Sequence, residues 1–329
     1  MEKIIVIGSN SFSGSHFVDL LLNTKLYDVI GISRSCEKPP LFLPYKKRES
    51  SHFRFVQIDL NKDLKKLREL IDDFKPNYCV NFAAQSEVAP SWEHPDHWFQ
   101  TNAVALTNLA NLLKDKPFLK KYVHISSPEV YGSCSGFITE SAPLNPSTPY
   151  AASKAAGDLS LLTFYKNFYF PLTFIRATNV YGPCQQLFKI IPRTIIAITQ
   201  NKQIHLHGGG SAIKSYIHIG DVSHAEHLIM QKGKIGEIYH VSPDRGVSIK
   251  EIVEMICDYM GVSFDKAVIQ APERLGQDKA YTIDSSKIRE EFGWHPDVPL
   301  KEGLLQTINW VEDNLNAIVK QPLEYMHKE

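Results

Sequence analysis

Tyr150 and Lys154 stand four residues apart in the run PYAASKAAGD, so on a helix they lie one turn apart on the same face. A phenol held beside an ammonium can accept the proton of an alcohol while a hydride leaves the same carbon. Ser127 adds a hydroxyl upstream, where the apolar run Tyr122–Ile125 passes into a loop, and Glu129 adds a carboxylate just beyond Pro128. Moving a hydride to and from one carbinol carbon gives Glu129 nothing to do. A ketone formed there acidifies the neighbouring C–H, and a carboxylate is the group that would take that proton.

These residues need a scaffold that brings a strand end and a helix together. Lys3–Gly8 (KIIVIG) reads as a buried parallel strand, followed by Ser9–Gly14 (SNSFSG) and a helical pattern over Ser15–Leu22. Strand, small-residue turn and helix open a dinucleotide-binding unit, in which the helix N-terminus faces a pyrophosphate. Gly8, Ser11, Phe12, Ser13 and Gly14 are the candidate contacts; Ser11 replaces the middle glycine, limiting backbone approach but offering a hydroxyl. The second strand, Asp28–Ser33, ends at Arg34, where a carboxylate would select NAD and an arginine accommodates the 2′-phosphate of NADP. The cofactor expected is NAD or NADP, with Arg34 tilting the choice towards NADP.

The third strand, Phe53–Ile58, ends at Asp59 and Leu60, expected beside the adenine. A helix over Lys62–Phe74 leads to strand Tyr78–Phe82, and Phe82, Ala83, Ala84 and Ser86 let the cofactor lie close above the backbone. Asn102, at the expected start of the next helix, and Ser126 complete the cofactor candidates with Tyr150 and Lys154. Strands and helices alternate through Leu172–Ala177, which implies a parallel sheet covered on both faces. The fold class expected is α/β: a Rossmann-type doubly wound parallel sheet over residues 1–180, with a returning segment near 237–241. A smaller C-terminal α/β lobe, 181–329, carries helices over Ile190–Gln200, Val222–Gln231, Ile249–Met260 and Leu300–Asn314.

The totals exclude several functions. Lys plus Arg and Asp plus Glu each number 36, so no bulk field favours nucleic acid or an anionic membrane. The five cysteines are scattered and form no CxxC pair, as expected of reduced thiols in a cytoplasmic protein. His205, His207, His218, His224, His227 and His240 match no compact zinc spacing, and no metal is expected. The strand that begins almost at Met1 leaves no room for a signal peptide, and no apolar run reaches the ~18 residues of a membrane helix.

Together these segments resemble the extended short-chain dehydrogenase/reductases that act on nucleotide sugars, most of all the dTDP-glucose 4,6-dehydratases and related enzymes. The likeness runs through GSNSFSG (Gly8–Gly14), NFAAQSEVAPSWEHP (Asn81–Pro95), SSPEVYG (Ser126–Gly132), PYAASKAAGD (Pro149–Asp158) and ATNVYGP (Ala177–Pro183). KIIP (Lys189–Pro192), IKSYIHIGDV (Ile213–Val222) and ERLGQDKAYTID (Glu273–Asp284) continue it. The resemblance implies that Tyr150 is the catalytic base, Lys154 its cofactor-ribose partner, Ser127 the hydroxyl that orients the sugar C4–OH, and Glu129 the carboxylate at C5. It implies substrate contacts from Glu87, Asn179, Lys189, Lys214 and Arg274, and a homodimer built through a four-helix bundle from the helices beginning near Asn102 and Tyr150. Lys154 and the nicotinamide charge are then expected to lower the Tyr150 pKa towards the working range.

Three positions depart from that pattern. Pro128 stands where dehydratases of the dTDP-glucose type carry an Asp that protonates the departing C6 hydroxyl. Glu87 replaces a common His, and Lys214 replaces an Arg, turning a bidentate phosphate contact into a point charge. The reaction expected is a nucleotide-sugar 4,6-dehydration, with a 4-epimerase, a uronate decarboxylase, a 4-keto reductase or a 5,6-dehydratase as alternatives on the same scaffold. A regulatory protein that binds cofactor without turnover is more remote, because it needs none of Ser127, Tyr150 and Lys154.

Overall fold

Seven short runs rich in β-branched residues form one sheet in the computed structural model, which describes residues 1–134, 136–272 and 282–328. Strands β1 (Glu2–Ile7), β2 (Tyr27–Ser33), β3 (Phe53–Gln57), β4 (Tyr78–Asn81), β5 (Lys121–Ile125), β6 (Leu172–Ala177) and β7 (Ile238–Val241) pair in the order 7-6-5-4-1-2-3. Every neighbouring pair is parallel. Alternate residues of β1 enter different cores: Ile4 and Val6 pack on one face with Val29, Val80 and Val123, and Ile5 and Ile7 on the other with Ile30 and Cys79. Each such side chain contributes up to about 1.5–3 kcal/mol on leaving water. The expected doubly wound architecture is present, with its switch point between β1 and β4, where a crevice opens at the strand ends.

Local chemistry sets the elements around that crevice. Helix α1 (Phe12–Thr24) begins at Ser11, whose hydroxyl accepts the Gly14 N–H at 3.0 Å, a cap worth about 1 kcal/mol. Gly8 has φ +84°, and a Cβ there would sit 2.7 Å from the Ala83 nitrogen, so only glycine lets β1 turn beneath the end of β4. Helix α2 (Leu64–Phe74) covers the sheet beside β3. The helix expected from Asn102 starts earlier: Pro95–Phe99 leads into a π-helical stretch, Gln100–Ala105, and then α3 (Leu106–Leu113). Pro95 at a first helical position is a start signal that apolar spacing does not carry.

Helix α4 (Pro149–Phe168) is capped by Thr148, which accepts from Ala151 N at 3.1 Å, with Pro149 in its first turn. Gly157 lets α4 lie directly on the π-helical stretch: a Cβ would meet the Asn102 carbonyl oxygen at 2.2 Å. Beyond β6 the chain forms two-stranded pieces. Asn179–Tyr181 runs parallel to Tyr216–His218, and Ile213–Lys214 antiparallel to Val247–Ser248. Helix α5 (Ile190–Thr199) shares a core with the helices Ile249–Tyr259 and Leu300–Asp313. Helix α6 (Ile219–Lys232) packs against α1, so the part of the chain that rejoins the sheet's flank begins well before β7. Among the described residues no helix is long and apolar enough to cross a membrane.

Candidate active site

At the C-terminal ends of β5 and β6 a cavity of ≈ 350 Å³ opens towards the switch point. Ser126, Ser127, Glu129 and Tyr150 line one side, Asn179 and Lys189 the other, and Ser11, Phe12 and Ser13 of the α1 N-terminus its end. The turn after β5 explains how three of these are presented. Ser127 N-caps a 3₁₀ turn, Pro128–Tyr131, accepting the Glu129 N–H at 3.2 Å; Pro128 occupies the first position, where a missing N–H costs nothing. Pro128 is thus well matched to its backbone, and it leaves Glu129 as the acid-base group of the turn. The Ser127 hydroxyl also bonds the Tyr150 phenol, and Glu129 lies close enough for its charge to act on that phenol.

Lys154 does not reach the cavity; it lies behind Tyr150, buried, donating to the Ile125 carbonyl at 2.9 Å. Burial lowers its pKa to about 8, with Asp158 acting in the opposite direction and Arg176 adding to the fall. The expected lowering of the Tyr150 pKa is not produced by the chain itself. Burial first, and then the Glu129 carboxylate, push it upward, and only the Ser127 hydrogen bond opposes them. The Lys154 ammonium itself donates to the β5 backbone.

A buried network stands behind Lys154 that sequence reasoning missed. Asp158 accepts from Arg176 at 2.7 Å and from the Ser126 hydroxyl at 2.6 Å, and His124 lies 3.6 Å from its other oxygen and 3.4 Å from the Lys154 nitrogen. Burial, followed by Lys154 and Arg176, holds His124 far below the ordinary imidazole range, so it is neutral. Asp158 follows Lys154 by one turn, and that spacing was the available signal.

A second cleft of ≈ 310 Å³ continues across the ends of β1, β2 and β3. It brings together Gly8, Ser11, Arg34, Asp59 and Leu60 with Phe82, Ala83, Ala84 and Ser86 from the end of β4. Gly14 is buried in the first turn of α1 rather than on the surface of either cleft. Asn102 is a correction: it faces inward, bonding Gln85 N and O at 2.9 Å each and Ser153 Oγ at 2.9 Å, so it positions the strand-end loop and touches neither cleft. The two joined clefts fit a dinucleotide, because the Gly8 cradle would be filled by a Cβ and the α1 N-terminus lies where they meet.

The expected substrate residues are dispersed. Glu87 and Lys189 form an ion pair of 2.6 Å across the opening. Asn179 lines the catalytic cavity, whereas Lys214 sits on its two-residue strand, off the cavity wall. Arg274 lies outside the described residues. Glu226 of α6, absent from the sequence reading, reaches the same cavity fully buried, with neither carboxylate oxygen hydrogen-bonded among the described residues. Burial holds it protonated far above the usual carboxyl range.

Residues 5–307 match the family model described as GDP-mannose 4,6 dehydratase. A dTDP-glucose 4,6-dehydratase of Streptomyces niveus is 31% identical over 95% of this chain and 93% of its own. The crystal structure of a dTDP-glucose 4,6-dehydratase from Bacillus anthracis, in complex with NAD, superposes with a TM-score of 0.87 at 30% identity, covering 96% of this chain and 98% of that one. A UDP-glucose 4-epimerase from Thermotoga maritima, solved with UDP-glucose, scores 0.86 at 26% identity over 95% of this chain and 99% of its own. Overall shape is thus common to dehydratases and epimerases, and the groups in the cavity must separate them.

Proposed function

The chain belongs to the GDP-mannose 4,6-dehydratase family, and on that premise we propose that Ser127, Glu129, Tyr150 and Lys154 convert a nucleoside-diphosphate hexose into its 4-keto-6-deoxy product. It is an NAD-dependent nucleotide-sugar 4,6-dehydratase of the extended short-chain dehydrogenase/reductase type. NAD supplies the hydride chemistry, oxidation at C4 and reduction at C6. Tyr150 takes the C4 hydroxyl proton, Ser127 holds that oxygen, and Lys154 fixes the end of β5 behind them. Since burial and then the Glu129 charge raise the Tyr150 pKa, proton acceptance there depends on the positive charge that the oxidised nicotinamide would bring.

With a ketone at C4, Glu129 removes the C5 proton. Pro128 has no proton to give, so the same carboxyl passes the proton to the C6 hydroxyl, which departs as water and leaves a 5,6-double bond. Hydride return to C6 is then matched by a proton delivered to C5 from solvent, while Tyr150 releases the proton it took from the C4 hydroxyl. One observation carries this reading: Glu129 lines the cavity beside Ser127 and Tyr150, where a 4-epimerase would have no use for it. In Glu129→Gln, overall turnover should fall at least 10²-fold while a single-turnover mixing experiment still records cofactor reduction. Undiminished release of a product lighter by one water would remove Glu129 from the mechanism.

The remaining assignments belong to the same proposal. Asn179, with Lys189, Lys214 and Arg274 of a substrate-binding lobe over 181–329 that faces a cofactor domain over 1–180, contacts the nucleotide diphosphate or its base, and Glu87 is a further substrate contact. Arg34, at the adenosine end, supports acceptance of NADP beside NAD; Arg34→Asp should shift the ratio of the two binding constants towards NAD. The exposed apolar side chains Val104 and Leu159, on the π-helical stretch and on α4, support a homodimer built through a four-helix bundle. Five free cysteines support a reducing, cytoplasmic setting.

A further inference from the structure

The family match ends at residue 307, yet the chain continues and returns to the cofactor cleft. After the short helix Leu315–Ile318 it runs without helix or strand to Lys328, with Gln321, Leu323, Tyr325 and His327 half-buried and the residues between them exposed. Its first anchors lie in the C-terminal half. Glu324 pairs with Arg193 of α5 at 3.0 Å, and the Tyr325 ring meets Phe188 edge-on with centroids 5.4 Å apart. Its last anchors lie on the sheet side. His327 stacks on His94 and Trp98 with centroids 4.8 and 5.2 Å away, its Nε2 is 2.8 Å from His97 Nδ1, and Gln85 Nε2 donates to the Lys328 carbonyl at 2.6 Å.

The segment therefore spans the opening between the two halves, and what lies beneath is specific. Tyr325, Met326 and Lys328 line the same cleft as Gly8, Arg34 and Asp59. The Tyr325 hydroxyl is near enough to Glu87 and Arg34 for both charges to act on it. A wall formed by a segment outside the sheet can open without disturbing the strands. A reaction that lends a hydride at C4 and reclaims it at C6 fails whenever the reduced cofactor escapes in between.

We infer that residues 319–328 are a cofactor-binding strap, in which Tyr325 and Lys328 form the outer wall over the adenosine half of the dinucleotide and keep it bound between the two hydride transfers. The inference rests on the reading of the site as an NAD-dependent dehydratase. Its anchors are Arg193 and Phe188 on one bank and Gln85, His94 and His97 on the other.

The test compares NAD content and the rate of NAD loss on dialysis for the full-length protein, for His327→Ala, for Tyr325→Ala, and for a chain ending at Val319. Each altered protein should lose NAD at least tenfold faster than the parent. The two point variants keep the test decisive if the shortened chain does not fold. Retention at the parental rate in both point variants would overturn the strap, as would tighter NAD binding after truncation, which would mark the segment as an obstruction. A full-length protein that binds no NAD at all would instead refute the dehydratase reading.

Discussion

The two walls of the catalytic cavity are built on opposite principles. Behind the sheet wall three buried charged groups have fixed partners: Lys154 on the Ile125 carbonyl, Arg176 on Asp158, and Asp158 on the Ser126 hydroxyl. These groups are buried, and none can turn without stranding another. On the opposite wall, Lys189 pairs with Glu87, which belongs to the sheet side, and both side chains retain solvent contact. The redox groups are thus set before any ligand arrives, while a group expected to grip the diphosphate is held by an ion pair that an anionic substrate can displace. An exposed pair of this kind is worth at most about 1 kcal/mol, so opening it costs little.

The largest effect should come from the group that the fixed wall presents. Tyr150→Phe keeps the ring and deletes the proton acceptor, so turnover should fall by about 10³-fold with little change in unfolding midpoint. A loss below tenfold would mean that the sheet wall is rigid for reasons unrelated to proton transfer. Next, Asp158→Asn leaves Arg176 and Lys154 buried without their carboxylate. It should cost about 3–5 kcal/mol in urea unfolding, the usual result of removing one partner from a buried pair. The comparison predicts the reverse on the other wall: Lys189→Ala should leave stability within about 0.5 kcal/mol and raise KM roughly tenfold at nearly constant kcat. A fall in kcat matching the rise in KM would place Lys189 among the preorganised groups.

This contrast also explains what the sequence could disclose. Parallel strands buried on both faces are near-continuous apolar runs, so β1, β2 and β5 were legible within a residue or so, as was the return of β7 from Glu237–Val241. Tyr150 and Lys154 were legible because a helix fixes the relation between positions one turn apart. The far wall rests on short strands whose partners come from distant segments, such as Asn179–Tyr181 against Tyr216–His218. Such pairing leaves no periodicity. Asn102 misled because its type suits a ligand contact, and only the tertiary packing shows its amide used up on Gln85 and Ser153. For a similar reason, spacing puts Lys154 on the right face but cannot say that its ammonium donates to the Ile125 carbonyl.

The smallest expected effect tests an exception on the sheet side, where α6 packs against α1. Glu226 is buried without a hydrogen bond among the described residues, and burial raises its pKa well above 4.5. The sign of its contribution follows. Below 4.5 both folded and unfolded chains keep the proton, and its titration costs nothing. Above 4.5 the unfolded chain releases a proton that the folded chain retains, so stability falls with rising pH until the folded pKa is passed. Glu226→Leu should therefore exceed the parent by about 1 kcal/mol at pH about 4, the low end of what an unmatched buried polar group costs, and by a larger margin at pH 8. Denaturant titrations at the two pH values measure this directly. If the variant gains stability and keeps its turnover, the carboxyl is a tolerated misfit among the fixed groups of the sheet side. If turnover falls while the stability gain appears, Glu226 acts on what occupies the cavity, and α6 adds one more group set in advance to the sheet side.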